Sequence, residues 1–320
     1  MNMDAVTGYV FHPDDLTVEK RKPGISAFMR IRNGEDFLEA AIRSHIDCFD
    51  EIVAVHNQST DGTVDILMRL AGEYGPKIKL FHYTDRVYPP GSAEHAREPA
   101  NSPNSLVNYY NFALSRTTRT IVTKLDDDHL AMPARMRALA DRVRADPSIL
   151  DKSMACFSGV NLARTETGKL GLPASDLLCG NGDHWFFRIS DETWFERDRR
   201  FEKLRHSGLR RRFYGFAYWH LKYLKPGSGF ANYELDRNPG SRYARRLERI
   251  GNSPLVELPA ARDLLRPGMR EWMSAQLGDK GRLLYQRAVS FENAFPQGSV
   301  EQALDATSPG WRNYLAEATS

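Results

Sequence analysis

Short apolar runs alternate with amphipathic segments over the first half of the chain, from Gly24 onward. Runs of strand length occupy residues 25–31, 51–56, 78–82 and 120–125, and the segments between them carry apolar side chains at helical spacing. This alternation is typical of βα units, which build a mainly parallel sheet with helices on its faces. The sequence therefore predicts an α/β fold with a Rossmann-like, mixed and mainly parallel sheet.

The pattern changes at three places along the chain. Residues 1–23 precede the first strand and are predicted to be a lead-in, and residues 24–150 hold the alternating pattern. Residues 151–230 consist of strand-like pieces joined by glycine-rich turns, whereas residues 231–320 show helical periodicity. We therefore predict two halves followed by a C-terminal helical extension, in which apolar faces are contributed by residues such as Leu264, Trp272 and Met273.

A polar, proline-rich stretch at residues 84–102 interrupts the alternation and is long enough to predict a ligand-ordered or flexible loop. Ser102 followed by Pro103 has the residue types that cap and open a helix, so a helix is predicted from Pro103. A further helix is predicted over Pro133–Ala145, where Asp146 and Pro147 stop it.

Composition restricts the cellular location. No apolar run is long enough to span a membrane, and the first 22 residues include three aspartates where a signal peptide needs an apolar stretch. Cys48, Cys156 and Cys179 lie far apart, without the spacing of a metal site or a disulfide framework. These features predict a cytoplasmic protein with reduced cysteines.

The net charge is only +3, but basic residues cluster at residues 205–212 and 242–249. A solvated helix face accounts for such clusters in many proteins. Nucleic-acid binding needs a broader basic excess with interleaved aromatic residues, so no nucleic-acid partner is predicted. An anionic acceptor, or the anionic inner face of the cell membrane with peripheral association, fits the clusters better.

Three consecutive aspartates, Asp126, Asp127 and Asp128, directly follow the strand predicted at residues 120–125. Ligands of open α/β sheets bind at the carboxyl ends of the strands, where these side chains lie. Alternate residues of an extended segment point the same way, so Asp126 and Asp128 are predicted to hold one Mn²⁺ or Mg²⁺ ion together with diphosphate oxygens and water. The alternative is an acidic, solvated turn. Three adjacent carboxylates also require a positive partner.

The acidic triplet is the last of three motifs that occur in order. Residues 31–35 read IRNGE, residues 50–63 read DEIVAVHNQSTDGT and residues 124–128 read KLDDD. Together, over residues 24–133, they resemble glycosyltransferase family 2 and its relatives with the GT-A fold. In that family the second motif closes the nucleotide pocket, and the aspartates form the Asp-x-Asp metal site.

The resemblance implies a metal-dependent, inverting transfer of a sugar from a nucleotide-diphosphate sugar, a UDP-sugar above all, to a glycan or glycolipid acceptor. In this family such reactions serve cell-envelope polysaccharide synthesis. Residues 24–150 would bind the nucleotide sugar and residues 151–230 the acceptor. His56 and His129 stand where the family usually has acidic residues, which leaves the nucleotide base open.

Short polar residues between a strand and a helix suit the binding of a base and ribose, which makes Asn57, Ser59 and Asp61 candidates. A plain capped turn is the alternative for the same residues. The full predicted set of donor-binding residues is Arg30, Asn33, Asn57, Ser59, Asp61, Asp126, Asp127 and Lys222. Lys225 is the alternative to Lys222 as the cation for the diphosphate.

Inverting transfer needs a carboxylate that takes the proton of the acceptor hydroxyl. Asp183, in the glycine-rich sequence GNGDHW at residues 180–185, is predicted to be this base, and the competing residues are Asp191, Glu192 and Glu196. His220 is the predicted third metal ligand, with His184 as its substitute. A core histidine is the alternative for His220.

Two other functions fit part of the pattern. Nucleotidylyl transferases also combine an α/β sheet with a carboxylate-bound metal, but they have a glycine-rich loop with Lys or Arg after the first strand, which residues 29–34 lack. A nucleotide-sugar-binding protein without turnover would retain the fold and tolerate the histidines at positions 56 and 129.

Overall fold

The computed structural model describes residues 3–180, 184–198, 202–206 and 208–315. The strands are β1 (Asp4–Val6), β2 (Lys22–Ile31), β3 (Glu51–His56), β4 (Ile78–Tyr83), β5 (Arg119–Lys124), β6 (His129–Ala131), β7 (Ser153–Asn161), β8 (Ala163–Arg164), β9 (Leu170–Pro173), β10 (Leu178–Cys179), β11 (Trp185–Arg188), β12 (Phe195–Arg197), β13 (Glu202–Leu204), β14 (Arg210–His220) and β15 (Leu255–Val256). The helices are α1 (Leu38–His45), α2 (Thr63–Tyr74), α3 (Ala93–Arg97), α4 (Leu106–Ser115), α5 (Pro133–Ala145), α6 (Arg242–Gly251), α7 (Leu258–Leu265), α8 (Met269–Leu277), α9 (Asp279–Glu292), α10 (Val300–Thr307) and α11 (Arg312–Leu315).

One ten-stranded mixed sheet dominates the structure, in the order β1-β4-β3-β2-β5-β11-β7-β14-β6, with β10 attached to β7. The pairs from β1 to β5 are all parallel, and β7 pairs with β14 in parallel. Strand β11 lies antiparallel between β5 and β7, and β6 lies antiparallel to β14. The predicted α/β fold with a mixed, mainly parallel sheet and flanking helices is confirmed.

Both faces of the parallel part of the sheet are covered, which explains why β3 is buried along its whole length. On one face, the apolar sides of α1 and α2 pack through residues such as Ile42 and Leu67. On the other face, Tyr109 and Phe112 of α4 pack against Phe28 of β2. Every strand in the middle of a βα repeat therefore needs an uninterrupted apolar run, which is the pattern that the sequence contains.

The predicted helix Pro133–Ala145 has the predicted bounds, but the preceding helix begins at Leu106 and not at Pro103. The residues before it form turns, in which the backbone N–H of Ser105 donates to the carbonyl of Ser102 at 3.0 Å. Asn104 donates from Nδ2 to the carbonyl of Arg86 at 2.7 Å. Ser102 thus belongs to a turn that is bound to the long loop after β4, and it does not cap the helix.

Helix α9 packs against β14, α10 packs against β9 and α7 packs against α9, and these helices enclose a second core, to which Leu258, Phe291 and Leu304 contribute. Trp272 and Met273 of α8, two of the predicted apolar faces, are exposed. Within the described ranges, no helix combines the length and the apolar character that crossing a bilayer requires.

Candidate active site

A cavity of about 950 Å³ opens at the carboxyl ends of β2 and β5 and is closed on its other side by residues that follow β14. This is the place where open α/β sheets bind their ligands. The described charged and polar residues that line the cavity include Arg30, Arg32, Asn57, Lys124, Asp126, Asp127, Asp128, His184, Glu202, Arg211, His220, Lys222, Lys225, Asn232, Arg242, Arg246 and Lys280.

Asp126 opens the turn between β5 and β6 and is surrounded by donors. Its Oδ2 lies 3.1 Å from Lys124 Nζ and 3.2 Å from His184 Nε2. Burial on its own would raise the pKa of Asp126, but Lys124 and His184 hold this pKa well below its usual value. Asp126 is therefore a carboxylate at neutral pH.

Asp127 and Asp128 share one lysine. Lys225 Nζ lies 2.8 Å from Asp127 Oδ2 and 3.6 Å from Asp128 Oδ2. Asp128 Oδ1 also lies 3.4 Å from His220 Nε2. Burial raises the pKa of Asp127, whereas Lys225 and His220 lower the pKa of Asp128 against the effect of burial. Lys225, which the sequence analysis named as the alternative to Lys222 for the diphosphate, thus pairs with Asp127 and Asp128, and Lys124 pairs with Asp126.

Three histidines and a tyrosine lie beneath the aspartates. The ring of His129 stacks on Tyr218 with their centroids 3.8 Å apart, and Tyr218 Oη lies 3.2 Å from His184 Nδ1. His220 Nδ1 lies 2.5 Å from Asn161 Oδ1, so this contact orients the ring and leaves Nε2 toward Asp128. Burial holds the pKa of His129 far below its usual value. Burial also lowers the pKa of His220, but Cys179 and Asp128 raise it to about 10.

The side chains of this turn suit a divalent cation. Asp126 Oδ2, His129 Nε2 and His184 Nε2 all lie within 4.8 Å of one another. His129 Nε2 is buried and has no hydrogen-bond partner among the described residues, although it lies 3.7 Å from Asp126. Carboxylate oxygens with imidazole nitrogens are a donor set that Mn²⁺ accepts. Of the predicted ligands, Asp128 and His220 lie side by side, and Asp126 lies next to the substitute ligand His184.

A second group of side chains with the geometry to hold a metal ion shares His129 with the first and adds Cys179 and His220. The two groups are therefore parts of one buried polar cluster. The sequence did not indicate this second group, because Cys179 is separated from both histidines along the chain and no spacing motif connects them.

Asn57 lines the cavity, and its side-chain amide forms hydrogen bonds with three backbone groups. Its Nδ2 donates to the carbonyls of Tyr83 at 2.7 Å and Asp85 at 2.6 Å, and its Oδ1 accepts from the backbone N–H of Val87 at 3.3 Å. Asn57 therefore fixes the start of the loop after β4, and Val87 of this loop also lines the cavity.

Asn33, Ser59 and Asp61 connect two loops and are not among the described residues that line the cavity. Ser59 Oγ accepts from the backbone N–H of Asn33 at 3.2 Å, and Asp61 Oδ2 accepts from that of Glu35 at 3.0 Å. Asp61 Oδ1 also accepts from the backbone N–H of Thr63 at 3.1 Å, at the start of α2. Asp61 therefore holds the start of α2, as in the turn named as the alternative, whereas Ser59 connects its loop to Asn33.

His56, like His129, stands where the family that the sequence resembles usually has an acidic residue. Its side chain faces away from the main cavity. It stacks on His82 with centroids 4.3 Å apart and lines a separate cavity of about 720 Å³ with Ser59. Burial and the neighbouring His82 lower the pKa of His56 to about 4, so the ring is neutral at physiological pH.

Arg30 and Lys222 both line the main cavity, and aromatic rings hold both. The guanidinium of Arg30 lies 3.2 Å from the ring centre of Tyr110 and 4.0 Å from Asp126 Oδ1. Lys222 Nζ lies 4.0 Å from the ring centre of Phe230 and donates to Tyr233 Oη at 3.2 Å. Fixed cations at the cavity wall suit the phosphates of an anionic donor.

The predicted base Asp183 lies outside the described residues. Its competitors Asp191, Glu192 and Glu196 are not among the described residues of the cavity wall, whereas Glu202 is. The side chain of Glu202 is 6% exposed, its Oε1 has no hydrogen-bond partner within the described ranges, and burial raises its pKa. No motif surrounds Glu202, so sequence reasoning had no signal for it.

No protein-family model matches the chain, and no curated protein does. Among solved structures, glucosyl-3-phosphoglycerate synthase from Mycobacterium tuberculosis in complex with Mn²⁺, UDP and phosphoglyceric acid is similar, with 15% identity and a TM-score of 0.31. The match covers 58% of this chain and 63% of the synthase, so the chain spans less than two thirds of its length. The complex of that synthase with Mg²⁺ and UDP has 16% identity and a TM-score of 0.27, over 51% of each chain.

A crystal structure described as a mycobacterial protein has 14% identity and a TM-score of 0.35, and the match covers 70% of this chain and 79% of the other. The synthase is a GT-A glycosyltransferase, which is the kind of protein that the sequence motifs resemble. TM-scores of this size carry no argument about substrate or mechanism, so these depend on the residues of the cavity.

Proposed function

We propose that the chain is a metal-dependent glycosyltransferase that moves a sugar, with inversion, from a nucleotide-diphosphate sugar to a hydroxyl group of a glycan or glycolipid acceptor. A UDP-sugar is the proposed donor, and cell-envelope polysaccharide synthesis is the proposed setting. The observation that carries the proposal is the acidic turn 126–128, which lies beside His184 and His220 at the carboxyl end of β5 in a cavity of about 950 Å³.

Asp126, Asp128 and His220 are the proposed ligands of a Mn²⁺ or Mg²⁺ ion, and His184 is the substitute for His220. Asp126 belongs with His129 and His184 to one group of potential metal-ligating side chains, and His220 belongs with His129 and Cys179 to the adjoining group. Asp128 Oδ1 lies 3.4 Å from His220 Nε2, which places it beside the second group. When bound, such an ion neutralises the charge of the diphosphate leaving group. Arg30 and Lys222 line the same cavity and supply further positive charge for phosphate oxygens.

The proposed chemistry is a single displacement. Asp183 takes the proton of the acceptor hydroxyl, the acceptor oxygen bonds to the anomeric carbon, and the bond from that carbon to the diphosphate oxygen breaks on the opposite face. Two products result, the glycosylated acceptor and the nucleoside diphosphate. A base within reach of the cavity is required, and the neighbouring residue His184 lines it.

The loop at residues 32–36 weighs against nucleotidylyl transfer. The backbone N–H of Gly34 donates to Thr63 Oγ1 at 2.8 Å, and that of Glu35 donates to Asp61. A glycine-rich phosphate loop must offer such N–H groups to the nucleotide. Here the loop after the first βα strand uses them to hold the start of α2.

The test compares Asp128→Ala with wild type in calorimetric titrations of UDP, with and without Mn²⁺. We expect Mn²⁺ to strengthen UDP binding to wild type at least tenfold, about 1.4 kcal/mol, and to have no effect on the variant. Asp151→Ala is the matched control, because Asp151 is an exposed acid that pairs with Arg188 at 2.7 Å away from the cavity wall. A wild-type response in Asp128→Ala would refute the metal assignment.

Turnover distinguishes the enzyme from a nucleotide-sugar-binding protein without activity. We expect the transferase to release UDP slowly from a UDP-sugar in the presence of Mn²⁺, because in such sites water can react with the donor in place of the acceptor hydroxyl. Tight UDP binding without release from any of a panel of UDP-sugars, with or without acceptor sugars, would support the binding protein.

A further inference from the structure

Helix α8 exposes one apolar side. Four of its nine residues form this side, and their exposed fractions are 72% for Met269, 49% for Trp272, 55% for Met273 and 88% for Leu277. At 100° per residue, these four positions fall within about 140° of the helix circumference. Ala275, on the opposite side, is 5% exposed and faces α9. The large apolar side chains of α8 therefore point away from the protein.

A strongly basic cavity of about 470 Å³ is lined by residues of α5, α9 and β14. Five arginines line it together with Phe213, Tyr214 and Gln286, and they are Arg142, Arg210, Arg211, Arg212 and Arg282. Within the described ranges, only Arg282 has a carboxylate partner, Asp279 at 3.5 Å. Arg142 instead lies over the ring of Tyr214, 5.0 Å from its centre. The cavity thus concentrates positive charge that the described carboxylates leave largely unbalanced.

Helix α9 connects the apolar side of α8 with the arginine cavity, and the two together are called the α8–α9 surface. Helix α8 packs on α9, and α9 packs on β14, which begins with Arg210. Arg282 lies in the first turn of α9, five residues after Leu277 at the end of α8. Arg270 of α8 is exposed as well. Basic side chains therefore border the apolar side at the α8–α9 turn.

We propose that this surface docks the protein on an anionic lipid bilayer. Helix α8 lies in the plane of the interface with its apolar side among the acyl chains, and the arginine cavity binds headgroup phosphates. Tryptophan and methionine on one side and arginines at the border have the chemistry of an interfacial helix. The proposal involves none of the proposed metal ligands. Arg211 lines both the arginine cavity and the main cavity, so the variants below leave Arg211 unchanged.

The charge argues against a second copy of the chain as the occupant. A twofold interface brings the same surface of two copies together, so a dimer through α8 would place two arginine clusters near each other. Repulsion between them opposes that association. An anionic bilayer instead provides both an apolar phase for α8 and negative charge for the arginines.

The experiment is co-sedimentation of the full chain with vesicles. We expect the wild type to bind vesicles of phosphatidylcholine containing about 30% phosphatidylglycerol, and to bind pure phosphatidylcholine at least tenfold more weakly. About 1 M salt should weaken binding to the anionic vesicles, because it screens the arginines.

Two variants test the apolar part and the basic part of the surface separately. Trp272→Glu should lower the partition coefficient about tenfold or more, because it places a charge in the apolar side. Arg210→Glu combined with Arg212→Glu should lower it by a factor of about 25 or more, at about fivefold for each of the two arginines lost. The controls are Val10→Glu, at a side chain that is 50% exposed in the N-terminal segment, and Arg97→Glu, at an exposed arginine of α3 outside both basic clusters. Both should bind as wild type does.

Each result either supports or overturns docking of this surface on an anionic bilayer. Loss of binding in the α8 and arginine variants, with normal binding in both controls, supports the proposal. Absence of wild-type binding to anionic vesicles overturns it, as does equal binding of Trp272→Glu. Sedimentation equilibrium measures the oligomeric state of the wild type and of Trp272→Glu. If the wild type does not bind vesicles but forms a dimer that Trp272→Glu dissociates, the surface belongs to a second copy of the chain. UDP titrations of the same variants show whether the main cavity, at the carboxyl ends of β2 and β5, remains intact.

Discussion

Replacing Lys225 by methionine tests whether this lysine is the built-in counter-ion of the acidic turn. Its ammonium group lies 2.8 Å from Asp127 and 3.6 Å from Asp128, and the three side chains are 11%, 17% and 12% exposed. Methionine keeps most of the length and the apolar contacts but removes the charge. Two adjacent carboxylates then remain in a largely buried place without their shared cation.

Removing one partner of a buried ion pair costs about 3–5 kcal/mol. Burial already raises the pKa of Asp127, so this side chain takes up a proton readily and relieves part of the repulsion. We therefore expect Lys225→Met to lower the free energy of unfolding by about 3 kcal/mol, the lower end of that range. Urea unfolding at neutral pH in the presence of EDTA measures this difference.

Addition of Mn²⁺ should reduce the difference in unfolding free energy between Lys225→Met and wild type, because a divalent cation supplies the missing positive charge. At about 100 times its dissociation constant, a ligand stabilises the native state by about 2.7 kcal/mol, and the variant should bind the ion more tightly because no lysine competes. Lys77→Met is the control, since Lys77 pairs with Asp47 at 3.8 Å on the surface and should change stability by less than about 1 kcal/mol. Equal stability of Lys225→Met and wild type in EDTA would refute the counter-ion role. A difference that Mn²⁺ leaves unchanged would mean that the ion binds elsewhere.

Three further predictions concern the base, the sheet and the loop after β4. Asp183→Asn should lower kcat by about 10²–10⁴-fold while UDP binding with Mn²⁺ stays at the wild-type level, and normal turnover in this variant together with loss in Glu202→Gln would reassign the base. Burial would raise the pKa of Glu51, but hydrogen bonds from Lys79, Ser26 and Thr118 lower it. The folded pKa of Glu51 lies below the unfolded value of about 4.3, so Glu51 stabilises the fold above that pH and loses this effect as the pH falls through the folded pKa. The difference in unfolding free energy between wild type and Glu51→Gln should therefore shrink as the pH falls below about 4.3. Asn57→Ala should raise the donor KM and lower stability by about 1–3 kcal/mol, because it releases the carbonyls of Tyr83 and Asp85, and a stability loss without any change in KM would make Asn57 purely structural.

The parallel half of the sheet was predictable from the sequence because its strands are buried on both faces. Strand β3 has the predicted bounds, and β2, β4 and β5 differ from their predicted bounds by a few residues at most. The position of the acidic turn followed from the same pattern, since a strand that ends in polar residues places them at the edge of the sheet.

The partners of the acidic turn were harder to predict, because the chain brings them from far away. Lys225 is 98 residues distant from Asp127, and His184 is 58 residues distant from Asp126. Such contacts depend on the order of strands in the antiparallel half, where no repeated pattern fixes the neighbours. Local hydrogen bonds can also compete with ligand binding, and for that reason Ser59 and Asp61 have the sequence of a nucleotide loop and the geometry of a turn.

Amphipathic periodicity likewise predicted helix α8 but not what its apolar side contacts. Periodicity shows that a helix has an apolar side, and it contains no information about which neighbour covers that side. Trp272 and Met273, which were predicted to contribute an apolar helix face, are exposed.

The position of β11 between β5 and β7 has a consequence for synthesis on the ribosome. Strands β2 to β5 can pair as soon as residue 124 has emerged, because each lies next to a strand that is already made. The outer edge of β5 then stays open until Phe187 and Arg188 arrive to pair with it. During this interval the nascent chain presents an unpaired strand, which is a site for aggregation or chaperone binding. Aspartates 126–128 emerge in the same period, about 100 residues before Lys225, and the charged turn next to the open edge would discourage pairing with another chain.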